Sequence, residues 1–206
     1  MGAVLAMKRL MLLVAIFVAA CSPPGPEDMP DLRGSITPAQ LAQVKEPLLL
    51  AELPNIGVAA TLVARGRNGD VATWETADRV SIAFRQGVLS GTRGLGDDLM
   101  QADVSGTLAM LASGKPNVFY PRIHSYLDGE YQTAFRSFQC SKISQSAQTI
   151  ELASERMSVK RIEEACFSPG LEITNTYWRG ADGTMWKSRQ WVSARVGYLS
   201  AERLVK

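Results

Sequence analysis

The sequence is poor in the residues on which most hydrolytic and metal-dependent enzymes rely. It has one histidine, His124, in 206 residues, so any nucleophile–imidazole–carboxylate triad must be built around that ring. It contains no G-x-S-x-G elbow, and neither G-x-x-x-x-G-K-S/T nor G-x-G-x-x-G occurs. The signatures of α/β-hydrolases, P-loop NTPases and dinucleotide-binding folds are therefore missing. Charge of one sign is also scarce. The formal net charge is +2, and Lys8 and Arg9 of the N-terminal segment account for it; the remainder is near neutral, without the basic surface that binds nucleic acid. No hydrophobic run is long enough to cross a bilayer. The longest, Leu10 to Ala20, has 11 residues, about 16 Å as a helix, against the roughly 20 residues that a hydrocarbon core requires. Cysteine is limited to Cys21, Cys140 and Cys166. With one histidine and no close Cys pair, a zinc site lacks ligands, and no cofactor is expected. There is no internal repeat.

What is present begins at the N-terminus, in RLMLLVAIFVAACSPPGPEDMP, residues 9–30. Lys8-Arg9, a short apolar run and small residues at its end form a secretory signal, here residues 1–20. Met7 opens a tighter version of the same signal and is an alternative start. Val18-Ala19-Ala20-Cys21 looks like a bacterial lipobox, in which the Cys thiol receives a diacylglyceryl group and becomes the first residue of the mature chain. Two or three acyl chains hold a protein firmly, at about 0.8 kcal/mol per buried CH₂. The alternative is an ordinary signal cleaved after Ala20, with Cys21 incidental. Residues 21–34 carry Pro23, Pro24, Pro26 and Pro30 and read as a tether, because proline denies the segment a helix or a ladder. Ser22 after the Cys, rather than Asp, points to the outer membrane. Residues 35–206 then form a single domain.

With Cys21 lipidated, Cys140 and Cys166 remain as a pair. In an oxidising periplasm they are expected to form a disulfide, worth roughly 3–4 kcal/mol in the chain-entropy account; two buried free thiols are the alternative.

The domain reads as mainly β. Thr37 and Pro38 form a helix start, with the helix ending before Pro47. After Pro54 the period becomes two. A hairpin is expected around Asn68-Gly69, between strands 58–65 and 71–76. Val80, Ile82 and Phe84 alternate with polar partners, and Gln86-Gly87 turns into a strand at 88–92. Asp97-Asp98 reads as a short helix start and residues 104–111 as another helix. Strands resume at Val118, with a turn at Asp128-Gly129 between 120–127 and 131–139. Residues 147–153 and 157–167 form a further pair. If Asp182-Gly183 is a two-residue loop, Trp178 faces Lys187, Thr174 faces Trp191 and Arg179 faces Trp186, so both faces of that hairpin carry a tryptophan. Short, evenly spaced strands of this kind predict an antiparallel β-barrel-like fold or closed sandwich with a few short peripheral helices.

The candidate chemistry is thin, and no catalytic residue is expected. His124 shares a strand face with Tyr120 and Tyr126 and reads as structural. Glu163-Glu164 reads as a solvated pair. In GTRGLGDDL, residues 91–99, Arg93 is expected to pair with Asp97 or Asp98 in a tight loop; these three are also candidate contacts for a partner or a glycan. Trp186 reads as core. Lys187, Arg189 and Trp191 share one face of the last hairpin and complete the candidate contact set, either as a sugar platform or as Trp191 packing beneath basic side chains that snorkel.

These segments together resemble the YjbF family of bacterial outer-membrane lipoproteins, related to the lipoprotein of group-four capsule operons. FRQGVLSGTRGLGDDLMQA (Phe84 to Ala102) is similar to the family's G-V-x-x-x-T-R-G-L-G-x-D-L segment. YWRGADGTMWKSRQWVS (Tyr177 to Ser193) is similar to its C-terminal aromatic-turn-G-x-x-W-x-S-x-Q-W segment. The resemblance implies a compact β-barrel-like domain with peripheral helices. It further implies a role in making or exporting extracellular polysaccharide beside export proteins, and it supplies no catalytic residues. The expectation is a non-enzymatic lipoprotein on the periplasmic face of the outer membrane, anchored through Cys21. It would assist exopolysaccharide or capsule secretion by binding a partner protein or the glycan. The rivals are a polysaccharide-modifying enzyme and a structural envelope lipoprotein with no glycan role.

Overall fold

In the computed structural model, residues 29–113, 115–152 and 155–205 are described; Cys21 and the signal segment lie outside them. Two four-residue helices, α1 (Leu32–Ser35) and α2 (Pro38–Leu41), precede the sheet. Thr37 caps α2 in a full capping box with Gln40, which satisfies donors that the first turn leaves open. The helix stops well short of Pro47. Twelve strands follow: β1 (Leu48–Leu53), β2 (Val58–Asn68), β3 (Val71–Glu75), β4 (Ser81–Arg85), β5 (Val88–Arg93), β6 (Gln101–Asp103), β7 (Tyr120–Leu127), β8 (Thr133–Glu151), β9 (Arg156–Ser168), β10 (Leu171–Arg179), β11 (Met185–Ser193) and β12 (Gly197–Val205). One longer helix, α3 (Ser105–Ser113), lies between β6 and β7.

All pairings are antiparallel, and β1 pairs with both β2 and β12. The sheet therefore runs round in chain order and comes back to its start, forming a nearly closed barrel whose only interrupted step is β5 to β6. That seam is held by the GTRGLGDDL loop. Thr92 N donates to Leu99 O at 2.8 Å. The Arg93 guanidinium reaches the carbonyls of Thr92, Leu99 and Met100. The expected Arg93–Asp pairing does not form, because the guanidinium is taken up by these main-chain carbonyls at the seam. Asp98 instead accepts from Thr92 Oγ1 and from the backbone N–H groups of Gly94 and Leu95. Asp97 accepts through its main-chain oxygen from Ser193 Oγ and through its carboxylate from Arg195 N. The two acids start no helix; they fasten the loop to the seam and to the β11–β12 turn.

Other expectations also shift. The first hairpin pairs Asn68 with Val71, so its loop is Gly69-Asp70. β8 is continuous from Thr133 to Glu151 rather than two strands. β9 is strand throughout, including Glu163-Glu164. A register shift between Trp178 and Arg179 places Met185, not Trp186, opposite Arg179. Trp186 is buried, as expected of a core residue, in a cluster with Ile150, Leu152 and Val159.

The main core fills the barrel: Leu49, Leu62, Trp74, Ile82, Phe84, Leu89, Tyr177, Val192 and Leu199, joined by Met110 and Leu111 of α3. A separate cluster, Leu41, Leu50 and Leu204 with Leu32 and Ile36, seats α1 and α2 on the outside of β1 and β12. Arg33 of α1 also binds Glu202. Cys140 and Cys166 face one another across β8 and β9 and are joined by a disulfide, S–S 2.01 Å.

Candidate functional site

Two polar assemblies occupy the barrel interior, one sealed and one open. The sealed one centres on Glu164 of β9 and Arg122 of β7, both with fully buried side chains, 3.2 Å apart. Glu164 shares its strand face with Ile162 and Cys166, both buried, so the alternation of the strand turns its carboxylate into the core. There it accepts from Thr107 Oγ1 of α3 (2.5 Å), Tyr120 OH (2.7 Å), Asn175 Nδ2 (2.8 Å) and Tyr177 OH (2.7 Å), as well as from Arg122. Burial pushes the Glu164 carboxyl up, but the Arg122 guanidinium and these donors outweigh it and hold it below the usual carboxylate range. The pair is therefore ionised.

His124 completes the network. Arg122 Nε is a donor only, so the His124 Nε2 it meets at 2.9 Å must accept. Nδ1 then carries the proton and donates to Tyr126 Oη, 2.9 Å away, which donates to Val192 O. Burial, and then the Arg122 charge, drive the imidazole pKa well below its ordinary value. A histidine kept neutral in the fold but free to ionise when unfolded withdraws stability as pH falls below about 6.5, the unfolded value. Denaturant unfolding between pH 8 and pH 5.5 should thus show a loss approaching about 1.4 kcal/mol per pH unit at the lower end. His124→Gln, though less stable throughout, should flatten that slope. An unchanged slope in the variant would remove His124 as the cause.

The open assembly is a cleft of about 580 Å³ at the barrel end where the β2–β3, β4–β5 and β10–β11 turns meet. Its apolar floor is Leu49, Ala72, Trp74, Phe84 and Ala201; its rim carries Arg67, Asp70, Arg179, Asp182, Lys187 and Arg203. The volume lies in the range of small-ligand sites. The β4–β5 turn has positive φ at both Gln86 (50°) and Gly87 (86°), as a tight hairpin requires. A Cβ on Gly87 would lie 2.3 Å from the Met185 side chain, so glycine lets the two turns close on one another. Behind the floor, Gln190 ties β11 to β5 through Leu89 N (2.8 Å) and Gly87 O (3.0 Å).

The sequence-derived candidates are scattered. Lys187 lines the cleft and pairs with Glu202 at 3.4 Å. Arg189 stacks on Tyr198, with its guanidinium carbon 3.5 Å from the ring centroid. Trp191 packs edge-on to the same ring and against the Phe138–Cys166 cluster. Arg93, Asp97 and Asp98 hold the seam. Arg67, Arg179 and Arg203, three of the cleft's cations, had no signal in the sequence, because they sit on three strands that only the barrel brings together. Glu164 did have one: its parity with Ile162 and Cys166. The reading of Glu163-Glu164 as a solvated pair fails for Glu164, which is 0% exposed, and holds in part for Glu163, which pairs with Arg161.

The family profile described as group 4 capsule polysaccharide lipoprotein gfcB, YjbF matches residues 28–204. Among solved structures, the hypothetical lipoprotein YmcC from Escherichia coli K12 is similar with a TM-score of 0.72 at 19% identity, covering 83% of this chain and 89% of that one. At that identity the likeness speaks to the fold alone. No curated protein sequence gives a significant match.

Proposed function

The chain belongs to the YjbF family of group 4 capsule polysaccharide lipoproteins, and from that premise we propose that it is a non-enzymatic, lipid-anchored component of exopolysaccharide or capsule secretion. In this reading residues 1–20 are removed and Cys21 carries the acyl chains. The barrel stands off the periplasmic face of the outer membrane on the Pro-rich segment and engages the glycan at its open end. The observation that carries the reading is the cleft itself, a concave site with an apolar aromatic floor and a charged rim.

Its carboxylates are poorly suited to hydrolysis. A glycosidase needs one carboxylic acid held protonated beside a second carboxylate. Asp70 is instead hydrogen-bonded by Arg85 at 2.6 Å, and that guanidinium holds its carboxyl below the ordinary range. Asp182 accepts from Thr184 N and Oγ1 and so shapes the β10–β11 turn.

The test is a clean deletion, complemented with wild type or with Cys21→Ala, with extracellular polymer quantified. Wild type should restore polymer and Cys21→Ala should not. Unchanged polymer in the deletion strain, under conditions where the parent makes it abundantly, would end the secretion role.

A further inference from the structure

The cleft carries more positive charge than its own carboxylates neutralise. Asp70 is committed to Arg85 and Lys187 to Glu202. Of the rim residues this leaves Arg67, Arg179 and Arg203 beside the single carboxylate of Asp182. Arg179 is spent on the carbonyls of Gly183 and Leu111. Among the described residues neither Arg67 nor Arg203 is ion-paired to a carboxylate. Arg203 Nε is moreover buried without a hydrogen-bond partner, which is costly for a charged donor. The Arg203 guanidinium lies over Trp74, 5.6 Å from the ring centroid. Burial, and then the nearby Arg67 charge, pull its pKa down, so the two guanidiniums repel one another across the cleft. Two like charges gathered on an apolar floor and only partly offset by the Asp182 carboxylate are stabilised when an oxyanion enters, and the forked guanidinium suits a carboxylate in particular.

We propose that the barrel mouth binds a carboxylate-bearing sugar residue, with Arg67 and Arg203 receiving the carboxylate above the Trp74–Phe84 floor. The sugar identity rests on the glycan role proposed above; the anion preference rests on the cleft alone.

The full-length lipidated protein in detergent is titrated calorimetrically with tri-galacturonate, with the carboxyl-reduced neutral trisaccharide, and with inorganic phosphate. Tri-galacturonate should bind, weakening with added salt, and the neutral trisaccharide should not. Arg67→Gln, on the exposed rim, and Arg203→Gln should each weaken binding at least tenfold without lowering the thermal midpoint. Arg136→Gln, at a half-buried arginine of β8 that does not line the cleft, should bind as wild type. Equal binding of the neutral trisaccharide, no binding of tri-galacturonate, or unaltered affinity in Arg67→Gln would overturn the inference. Phosphate binding as tightly at the same arginines would overturn its sugar-acid part. Should uronate binding fail while the deletion strain still loses polymer, only this inference falls. Should the deletion strain keep its polymer, the secretion role falls whatever the cleft binds.

Discussion

Replacing Arg122 by leucine destabilises the protein by about 3–5 kcal/mol, the usual cost of stranding one member of a buried ion pair. Glu164→Leu costs more, because it strands the buried guanidinium together with the four groups that donate to the carboxylate. With Arg122 removed, Glu164 keeps its hydroxyl and amide donors but loses the cation that offsets its burial. With Glu164 removed, a guanidinium remains at 0% exposure. Paired hydrophobic replacements of buried ion pairs elsewhere are often neutral, but that outcome is not expected here. In the double variant Thr107, Tyr120, Asn175 and Tyr177 all lose the carboxylate to which they donate, at about 1–3 kcal/mol for each donor left unsatisfied. The double variant should therefore cost less than the sum of the singles yet stay well below wild type. Urea unfolding of all four proteins gives the coupling energy directly. A single-variant cost under about 1 kcal/mol would show that the network is dispensable.

Removing the disulfide, by Cys140→Ala with Cys166→Ala, should cost about 3.5 kcal/mol from loop closure alone, given the separation of 26 residues. Both sulfurs belong to residues with 0% exposure, and thiol–disulfide exchange needs access of the attacking thiolate. Reductant alone should therefore leave the native protein intact for hours, and reductant with sub-denaturing urea should unfold it. The midpoint in urea and the thiol count over time test the two halves separately. A double variant as stable as wild type would mean that the β8–β9 ladder suffices to hold the hairpin.

How much of this was legible in the sequence depended on what fixes each element. β3, β4 and β5 are short and bounded by turn residues, and β4 alternates cleanly, so period-two reading with turn signals finds them. The α2 start was written in Thr37 and Pro38. β8 was broken in two because residues 143–149 are largely exposed and polar. Their strand state comes from pairing with β9, a partner that no window of sequence contains. The Trp178–Arg179 register shift was invisible for a similar reason: it is a property of two strands, not one. The family resemblance gave the barrel-like fold, but the seam roles of Arg93 and Asp98 emerge only once β5 and β6 are seen to leave backbone groups unpaired. Arg122 lay in plain view beside His124, Tyr120 and Tyr126 on one strand face, yet a charged residue at an inward position is read as interior only when its counter-charge is found, and Glu164 is 42 residues away.

The sealed network also decides what kind of vessel the barrel is. Leu89, Arg122, Glu164, Tyr177 and Gln190 are all 0% exposed, and together with α3 they fill the bore behind the cleft. Among the described residues the mouth therefore leads to a filled base. A polymer bound there as proposed would enter by an end or a side branch and withdraw by the same route. Under the proposed glycan role, that geometry suits a handhold that grips and lets go.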